Sequence, residues 1–397
     1  MWAGRHVVLG VSGGIACYKS CILARRLVEA GARVDAVLTQ AAGEFVRPLT
    51  FEALTGRPVL SSLWEPGGAL SHVRLGHDAD LIIVAPATAH LIARMAQGLA
   101  DDVLTALLLA RTAPLLLAPS MNDEMFAQAA TRANLETLNQ RGVAFVGPEA
   151  GSLAEGPSDR PGRMSEPETI LAHAARLVSR GGLKGKRVVV TAGPTREPID
   201  PVRVVSNRSS GKMGYRVAEA AWERGAEVVL ISGPTALAPP VGVTLRQVDS
   251  TRELEEAVRA ELPAADVLVM AAAPADYRPS SPSDSKRSRV EGALAIPMEP
   301  TEDILRATRD RRRKGSVMVG FALETGDAVA KGLAKLERKD LDLIVVNDAL
   351  EPGAGFEKDT NRVALLGRDG SRRILPLQSK REVAEAILDV VEESLGR

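Results

Sequence analysis

Residues 7–16 read Val-Val-Leu-Gly-Val-Ser-Gly-Gly-Ile-Ala, and residues 187–195 read Arg-Val-Val-Val-Thr-Ala-Gly-Pro-Thr. In both stretches an apolar run typical of a buried parallel strand is followed at once by a turn of small residues. Such a turn lets backbone N–H groups approach a phosphate closely. The repetition predicts two α/β modules, each with a site for a nucleotide-like ligand.

Apolar runs alternate with amphipathic segments beyond both turns, and this alternation predicts two doubly wound parallel sheets with helices on both faces. We place the domains at 1–182 and 183–397. In the first, the further predicted strands are 33–38, 80–85, 114–118 and 143–146, and the helices are 16–30, 88–98, 131–141 and 166–179. In the second, the strands are 227–231, 266–270, 317–320 and 342–346, and the helices are 211–224, 251–260, 301–312 and 326–339.

Two segments show neither the periodicity of a helix nor that of a strand. Residues 147–162 are rich in Gly and Pro and are long for a connection, which favours a functional flap over a plain linker. Residues 278–299 are rich in Ser, Pro and charge, and we expect an arm or mobile loop there.

The composition is that of an ordinary globular protein. The 397 residues include 50 Lys and Arg against 50 Asp and Glu, and this zero net charge argues against a bulk nucleic-acid binder. The basic stretches 286–289 and 311–314 are short. Two cysteines, four residues apart, suit neither a disulfide framework nor a zinc site. The chain enters its first strand at once and has no apolar run of about 18 residues, so we expect a cytoplasmic protein without membrane spans.

Several polar residues follow the predicted strands of the first half. Ser12, Gly13 and Gly14 follow the first strand, Thr39 ends the second, and Thr88 follows the third with Ala87 beside it. Ligands of open α/β sheets lie outside the carboxyl ends of the strands, so these segments should converge. His72 is predicted on a loop before the third strand, where it is either structural or a general base.

Five motifs resemble the flavin-dependent cysteine decarboxylases, specifically the decarboxylase domain of bifunctional phosphopantothenoylcysteine decarboxylase/phosphopantothenate–cysteine ligases. They are residues 11–16 (Val-Ser-Gly-Gly-Ile-Ala), 71–72, 85–88, 98–105 and 118–126 (Ala-Pro-Ser-Met-Asn-Asp-Glu-Met-Phe). The resemblance implies a flavodoxin-like domain with His72 as base and Asn122 on the substrate carboxylate. It also implies FMN bound by Ser12, Gly13, Gly14, Thr39, Ala87 and Thr88.

The implied chemistry makes physical sense, because an amino-acid carboxylate leaves no stabilised carbanion when CO2 departs. Oxidation of the neighbouring CH2–SH by FMN creates a thiocarbonyl that accepts those electrons, and reduction of the resulting enethiol completes the reaction.

The flap departs from the family pattern. Family members commonly carry Ala-Cys-Gly-x-x-Gly-x-Gly-Arg-Met, with a cysteine that protonates the enethiol, whereas residues 154–164 here read Ala-Glu-Gly-Pro-Ser-Asp-Arg-Pro-Gly-Arg-Met. Glu155 stands where the cysteine is expected. Either this carboxylic acid, with a raised pKa in a closed flap, is the donor, or the second half-reaction is lost. His90 likewise replaces an asparagine usual beside the flavin.

The second half resembles the ligase domain of the same enzymes in residues 192–203, 206–214 (Ser-Asn-Arg-Ser-Ser-Gly-Lys-Met-Gly), 271–278 and 341–347. The resemblance implies a Rossmann-like domain that joins cysteine to 4′-phosphopantothenate through an acyl-cytidylate made from CTP. Asn207 would contact the intermediate, and Mg2+ would accompany CTP without assignable ligands. The implied CTP site comprises Ala271, Ala272, Asp276, Lys286, Asp303, Ile304, Phe321, Lys335 and Lys339.

The resemblance also implies assembly, because flavin-domain trimers and ligase-domain dimers combine into a homododecamer. Two alternatives stay open. One is an active ligase whose flavin domain cannot complete decarboxylation, and the other is a flavin-binding regulatory protein similar to the halotolerance proteins. A general NAD(P)-dependent Rossmann enzyme is disfavoured, because no Gly-x-Gly-x-x-Gly follows either first strand.

Overall fold

The computed structural model describes residues 2–64, 70–286, 288, 294–324, 326–348 and 358–396. The chain divides into two compact units, Met1–Ser179 and Arg180–Arg397. The division falls between residues 179 and 180, close to the boundary placed after residue 182.

The first unit is built on a five-stranded parallel sheet with the order β2-β1-β3-β4-β5. Its central strands are uninterrupted runs of buried residues, as expected for strands covered on both faces. This order is that of a flavodoxin-like sheet, so the predicted fold class of this half is confirmed. The strands are β1 (His6–Val11), β2 (Arg33–Leu38), β3 (Leu81–Ala87), β4 (Leu115–Pro119) and β5 (Ala144–Phe145).

Helices cover both faces of this sheet, and two apolar core clusters lie between the helices and the strands. The helices are α1 (Cys17–Glu29), α2 (Ala42–Phe45), α3 (Pro48–Thr55), α4 (Ser71–Asp78), α5 (Ala89–Gln97), α6 (Val103–Ala110), α7 (Asp123–Ala127), α8 (Ala129–Gln140) and α9 (Pro167–Val178). The predicted flap is an antiparallel hairpin of β6 (Glu149–Leu153) and β7 (Gly156–Arg163), with a shift of register between Glu149 and Gly151.

Polar caps place several helix starts at the carboxyl edge of the sheet. The Thr88 side chain accepts a hydrogen bond from the Leu91 amide and begins α5. Asp102 and Thr105 form a reciprocal capping box at the start of α6. Asn122 caps α7 through the amides of Glu124 and Met125. These caps hold the helix starts in place beside the carboxyl ends of the parallel strands.

The second unit contains an eight-stranded sheet with the order β12-β11-β8-β13-β16-β17-β19-β20. All neighbours pair in parallel except β17 with β19 and β19 with β20. The predicted second α/β sheet is therefore present, with an antiparallel extension. The strands are β8 (Arg187–Ala192), β11 (Glu227–Ser232), β12 (Thr244–Gln247), β13 (Val267–Met270), β16 (Val317–Glu324), β17 (Leu343–Asp348), β19 (Val363–Gly367) and β20 (Arg372–Ile374).

Short ribbons and helices complete this unit. The ribbons pair β9 (Arg196–Pro198) with β10 (Val204–Ser206), β14 (Tyr277–Pro279) with β15 (Met298–Pro300), and β18 (Thr360–Asn361) with β21 (Gln378–Ser379). The α-helices are α10 (Lys212–Glu223), α11 (Thr251–Glu261), α12 (Ile304–Ala307), α13 (Ala328–Lys339) and α14 (Lys380–Leu395), with 3-10 turns at Leu262–Ala264 and Arg309–Arg311.

One prediction for the second unit is wrong, and another falls partly outside the described residues. The helix predicted at 301–312 is only the short α12 followed by the 3-10 turn at Arg309–Arg311. The arm predicted at 278–299 begins in β14 and ends in β15, which pair with each other, while residues 287 and 289–293 lie outside the described part. Among the described helices, none combines the length and apolarity that crossing a bilayer requires.

Candidate functional sites

The carboxyl ends of the first-unit strands open onto a cavity of about 990 Å³. The turns after β1 and β2, the start of α5, the segment after β4 and the β6–β7 hairpin all line it. We call it the flavin cavity. Of the predicted site residues, it is lined by Ser12, Gly13, Gly14, Thr39, Thr88, Asn122 and Glu155.

The turn after β1 forms a narrow cradle. The Ser12 hydroxyl donates to the Pro86 carbonyl oxygen at 2.8 Å and accepts from the Thr88 amide at 3.0 Å, so it ties the turn to the start of α5. A Cβ atom added at Gly13 would lie 2.5 Å from the Cβ of Ala41. Only glycine permits this approach of two turns, and the backbone amides there suit a phosphate at the start of α1.

Two predicted residues lie elsewhere. Ala87 is fully buried in β3 and packs in the core. His72 is not on a loop but near the start of α4, and it lines a different, smaller cleft with the exposed Trp64 and Leu109. The sequence prediction failed here because Ser71–Asp78 is a short helix that packs against α6. Within one chain, His72 therefore does not share the cavity of Asn122.

Asn122, at the start of α7, and Glu155, in the turn between β6 and β7, both line the flavin cavity. Asn122 uses its Oδ1 atom to cap α7, at 2.9 Å from the Glu124 amide, so its Nδ2 group is the donor it can offer to a ligand. Glu155 lies in the turn between β6 and β7 and is exposed at the mouth of the cavity. This position differs from the closed surroundings expected for it.

In the second unit, the carboxyl ends of β8, β13 and β16 form a common edge, which we call the nucleotide edge. Asn207 reaches across it, because its Nδ2 atom donates to the Pro274 carbonyl oxygen at 2.9 Å. The Thr301 amide donates to the Asp276 carbonyl oxygen at 2.9 Å. These contacts bring Asn207 and Asp276 close to the segment that begins α12.

The aromatic and alanine residues predicted for CTP lie on neighbouring strands. Met270 of β13 pairs with Gly320 of β16, so the next residues, Ala271 and Phe321, lie on neighbouring segments at the nucleotide edge. Phe321 is half-buried. The Ala272 amide donates to the Thr191 hydroxyl at 3.1 Å. Ile304 is 3% exposed and packs in the hydrophobic core, so only its backbone can face a ligand.

Two of the three predicted lysines form ion pairs in the structure. Lys335 pairs with Glu324, and Lys339 lies 3.3 Å from Asp303. Lys286 is exposed in the segment between β14 and β15, while its basic neighbours Arg287 and Arg289 lie outside the described residues. In the part of the chain that the structure describes, no group of three or more His, Cys, Asp or Glu side chains could hold a metal ion.

Comparison with known proteins addresses both halves. The Flavoprotein family matches residues 1–179, and the family described as DNA/pantothenate metabolism flavoprotein C-terminal domain matches residues 183–395. Proteins named coenzyme A biosynthesis bifunctional protein CoaBC match over the whole length. The Vibrio cholerae protein is 45% identical over 397 residues, which cover 99% of each chain, and that of Bacillus subtilis is 44% identical, covering 98% and 97%. The chain belongs to the CoaBC family.

A crystal structure of a CoaBC C-terminal domain is also similar, with 42% identity and a TM-score of 0.47, and it covers 54% of this chain and 98% of that one. CoaBC membership confirms the predicted bifunctional enzyme of coenzyme A biosynthesis, with a flavoprotein decarboxylase domain followed by a ligase domain. A regulatory flavin-binding protein is not favoured, because the relatives match both halves.

Several residues that line the flavin cavity of this CoaBC protein were not predicted from the sequence. Lys19 lines it from α1, and its Nζ atom donates to the Met164 carbonyl oxygen at 2.9 Å. Arg94 lines it from α5 and contacts Asp102 at 2.7 Å. Nothing in the sequence pattern around Lys19, which lies in α1 two residues after the buried Cys17, indicates a cavity residue. Asp102, by contrast, belongs to the motif at residues 98–105.

Proposed function

We propose that this CoaBC protein catalyses two consecutive steps in the cytoplasm. The second unit joins cysteine to 4′-phosphopantothenate with CTP, and the first unit decarboxylates the product to 4′-phosphopantetheine with FMN. One observation carries the decarboxylase part of this proposal. A single cavity gathers the glycine cradle, the Asn122 amide and the Glu155 carboxyl from three separate parts of the chain.

FMN fits the flavin cavity. A volume of about 990 Å³ suits a cofactor-sized ligand, and the glycine cradle suits a phosphate. Ser12, Gly13, Gly14, Thr39 and Thr88 would hold it. When bound, FMN supplies the oxidation of the substrate CH2–SH group that makes loss of CO2 feasible, and it later returns the hydride.

The side chains then have separate tasks. The Asn122 Nδ2 group donates a hydrogen bond to the substrate carboxylate and holds it beside the carbon that is oxidised. Loss of CO2 leaves an enethiol, and its reduction requires a proton as well as a hydride. Glu155, at the mouth of the same cavity, supplies that proton from its carboxyl group.

The position of His72 supports an active site shared between copies of the chain. His72 lies in a cleft of its own, surrounded by Leu63, Trp64 and Leu109. Trp64 is 88% exposed and Leu109 is 64% exposed, and a face with such apolar groups favours association. We propose that this face packs against a neighbouring copy and presents His72 to its flavin cavity, within a homododecamer of trimers and dimers.

In the ligase step the 4′-phosphopantothenate carboxylate attacks the α-phosphorus of CTP, and pyrophosphate leaves. The cysteine amine then attacks the acyl-cytidylate, forms the amide and releases CMP. Asn207 would contact the acyl-cytidylate, with Ala271, Ala272, Asp276 and Phe321 beside the nucleotide. The Asn207–Pro274 hydrogen bond and the pairing of Met270 with Gly320 support this assignment. Lys286, Lys335 and Lys339 would face the triphosphate, which enters as its Mg2+ complex.

Mass spectrometry of the products tests both activities. Purified protein with 4′-phosphopantothenate, cysteine, CTP and Mg2+ is expected to accumulate 4′-phosphopantetheine. A halt at phosphopantothenoylcysteine would contradict the decarboxylase function, and a halt at the oxidised enethiol would contradict completion of the reaction.

The Glu155→Gln variant tests the proton donor. It is expected to accumulate the enethiol, because the amide cannot deliver a proton, while CO2 release continues. Normal turnover by this variant would refute the role of Glu155.

A further inference from the structure

The β6–β7 hairpin is attached to α7 by side chains that neither proposed half-reaction uses. The Ser158 hydroxyl donates to Asp123 Oδ2 at 2.7 Å, and Arg160 Nε donates to the same oxygen at 3.2 Å. Arg160 also forms an ion pair with Glu124. The Asp123 side chain is only 13% exposed, so one largely covered carboxylate receives two donors from the hairpin. The Ser158 hydroxyl and the Arg160 guanidinium lower the pKa of Asp123.

These contacts involve residues that are close along the chain to the two groups that the proposed decarboxylation needs, Asn122 and Glu155. Asp123 directly follows Asn122, and Ser158 follows Glu155 by three residues along β7. An extended strand spans roughly 3.3 Å per residue, so Glu155 lies within about 10 Å of Ser158 along the chain. A displacement of β7 relative to α7 therefore changes the separation of Glu155 and Asn122 directly.

The base of the hairpin is held by other contacts. The Met121 amide donates to the Gly162 carbonyl oxygen at 3.0 Å, and a Cβ atom added at Gly162 would lie 2.6 Å from the Met121 carbonyl oxygen. Lys19 donates to the Met164 carbonyl oxygen and lies 3.0 Å from Glu166. None of these contacts at the base involves Ser158 or Arg160. Loss of the contacts to Asp123 should therefore free the tip of the hairpin without unfolding its base.

We propose that Arg160 and Ser158 are positioning residues that latch the hairpin to Asp123 and so fix Glu155 opposite Asn122. The inference rests on the proposed function, in which Glu155 protonates the enethiol. Arg160 is 51% exposed, and ion pairs of this kind contribute little to stability. A displacement of about 1 Å in a reacting group, by contrast, can slow a step by roughly a hundredfold.

The test compares Arg160→Met with Asp159→Asn in the full-length protein loaded with FMN. Asp159 is the exposed residue beside Arg160, and its substitution leaves the contacts to Asp123 in place. Single-turnover experiments would follow CO2 release and 4′-phosphopantetheine formation separately, and hydrogen exchange would report on the amides of residues 151–160.

For Arg160→Met we expect unchanged CO2 release, reduction slowed by roughly tenfold or more with enethiol accumulating, and faster exchange at the hairpin tip. Arg160→Lys should restore part of the reduction rate, and Asp159→Asn should match the wild type. Combining Arg160→Met with Asp123→Asn should slow reduction by less than the product of the two single effects, because both break one contact.

Normal reduction in Arg160→Met would overturn the latch, and so would an equal slowing of CO2 release and reduction, which indicates a merely structural role. The Glu155→Gln variant separates this inference from the donor assignment. If Glu155→Gln reduces normally while Arg160→Met does not, the donor assignment is refuted, and with it the proposal that the latch serves to position Glu155. If only Glu155→Gln stalls, the donor stands and the latch is refuted.

Discussion

The flavin cavity and the nucleotide edge are built from different interactions. In the cavity, Ser12 and Gly13 are fixed by backbone contacts and close packing, so the cradle is built by the fold itself. At the nucleotide edge, Lys335 and Lys339 are already paired with carboxylates. A ligand of the first site only has to fit its shape. A triphosphate at the second must draw lysines away from existing partners, so the two sites should respond to different substitutions.

The largest effect is expected from filling the cradle. Gly13→Ala places a methyl group where Ala41 already lies, and overpacking of this kind costs ~1–3 kcal/mol, or roughly a 5- to 150-fold loss of flavin affinity. Titration of the flavin-free protein with FMN, followed by flavin fluorescence, measures the loss. The matched control is Gly43→Ala, because a Cβ atom at Gly43 meets nothing within 4 Å. Wild-type affinity in Gly13→Ala would show that the cradle is not preformed.

A smaller effect is expected from the lysines. Lys335→Met should raise the KM for CTP by roughly tenfold with little change in kcat. A hydrogen bond to a charged group contributes ~1.5–3 kcal/mol, and part of this is offset because Lys335 must first leave Glu324. Glu324→Gln should lower the KM, since Lys335 then leaves a weaker partner. Steady-state ligase kinetics measure both.

Lys331→Met, on the exposed surface of the same helix, is the control for this comparison. An equal rise in KM for Lys331→Met and Lys335→Met would indicate that the loss of positive charge as such weakens CTP binding. It would contradict the idea that Lys335 exchanges Glu324 for the triphosphate.

The smallest effect on either activity is expected at Lys380, where the change is one of stability and pH. Lys380 is 5% exposed at the start of α14, near Lys212 and Asp359, and burial lowers its pKa to about 8. Between pH 8 and about 10.5 the unfolded chain holds a proton that the folded chain has lost. Stability from this group therefore rises with pH across that window, by at most about 1.4 kcal/mol per pH unit.

Lys380→Met removes this rise. Urea unfolding of the full-length protein should show the variant gaining most over the wild type below pH 8, with the gain shrinking toward pH 10.5. A constant difference across the window would show that the ammonium group is not destabilised by burial.

Local pattern was sufficient for the elements that carry the sites. The runs 7–11 in β1 and 188–190 in β8 consist of Val, Leu and Gly without a polar residue, so their burial on both faces followed from the sequence. The small residues after them required tight turns. These features act over a few neighbouring residues, and the parallel arrangement then places all the turns at one edge.

Other features depended on contacts between distant parts of the chain. His72 was expected on a loop, but it lies on α4, which packs against α6, and it lines a cleft other than the flavin cavity. The four antiparallel strands after residue 358 and α14 were not predicted. The strands are short and are stabilised by pairing: β19 with β17 and β20, and β18 with β21. Helix α14 packs on the distant α10.

The sequence alone was enough to specify two α/β modules, their phosphate-type turns and the CoaBC motifs, since each is encoded by adjacent residues. Folding was needed to bring Asp123 within 2.7 Å of Ser158, 35 positions away, and to pair Lys339 with Asp303. No periodicity encodes such contacts, because they arise where separately formed elements pack together. The presence of Glu155 and Asn122 in the lining of one cavity belongs to this second kind, because packing rather than any motif brings the two segments together.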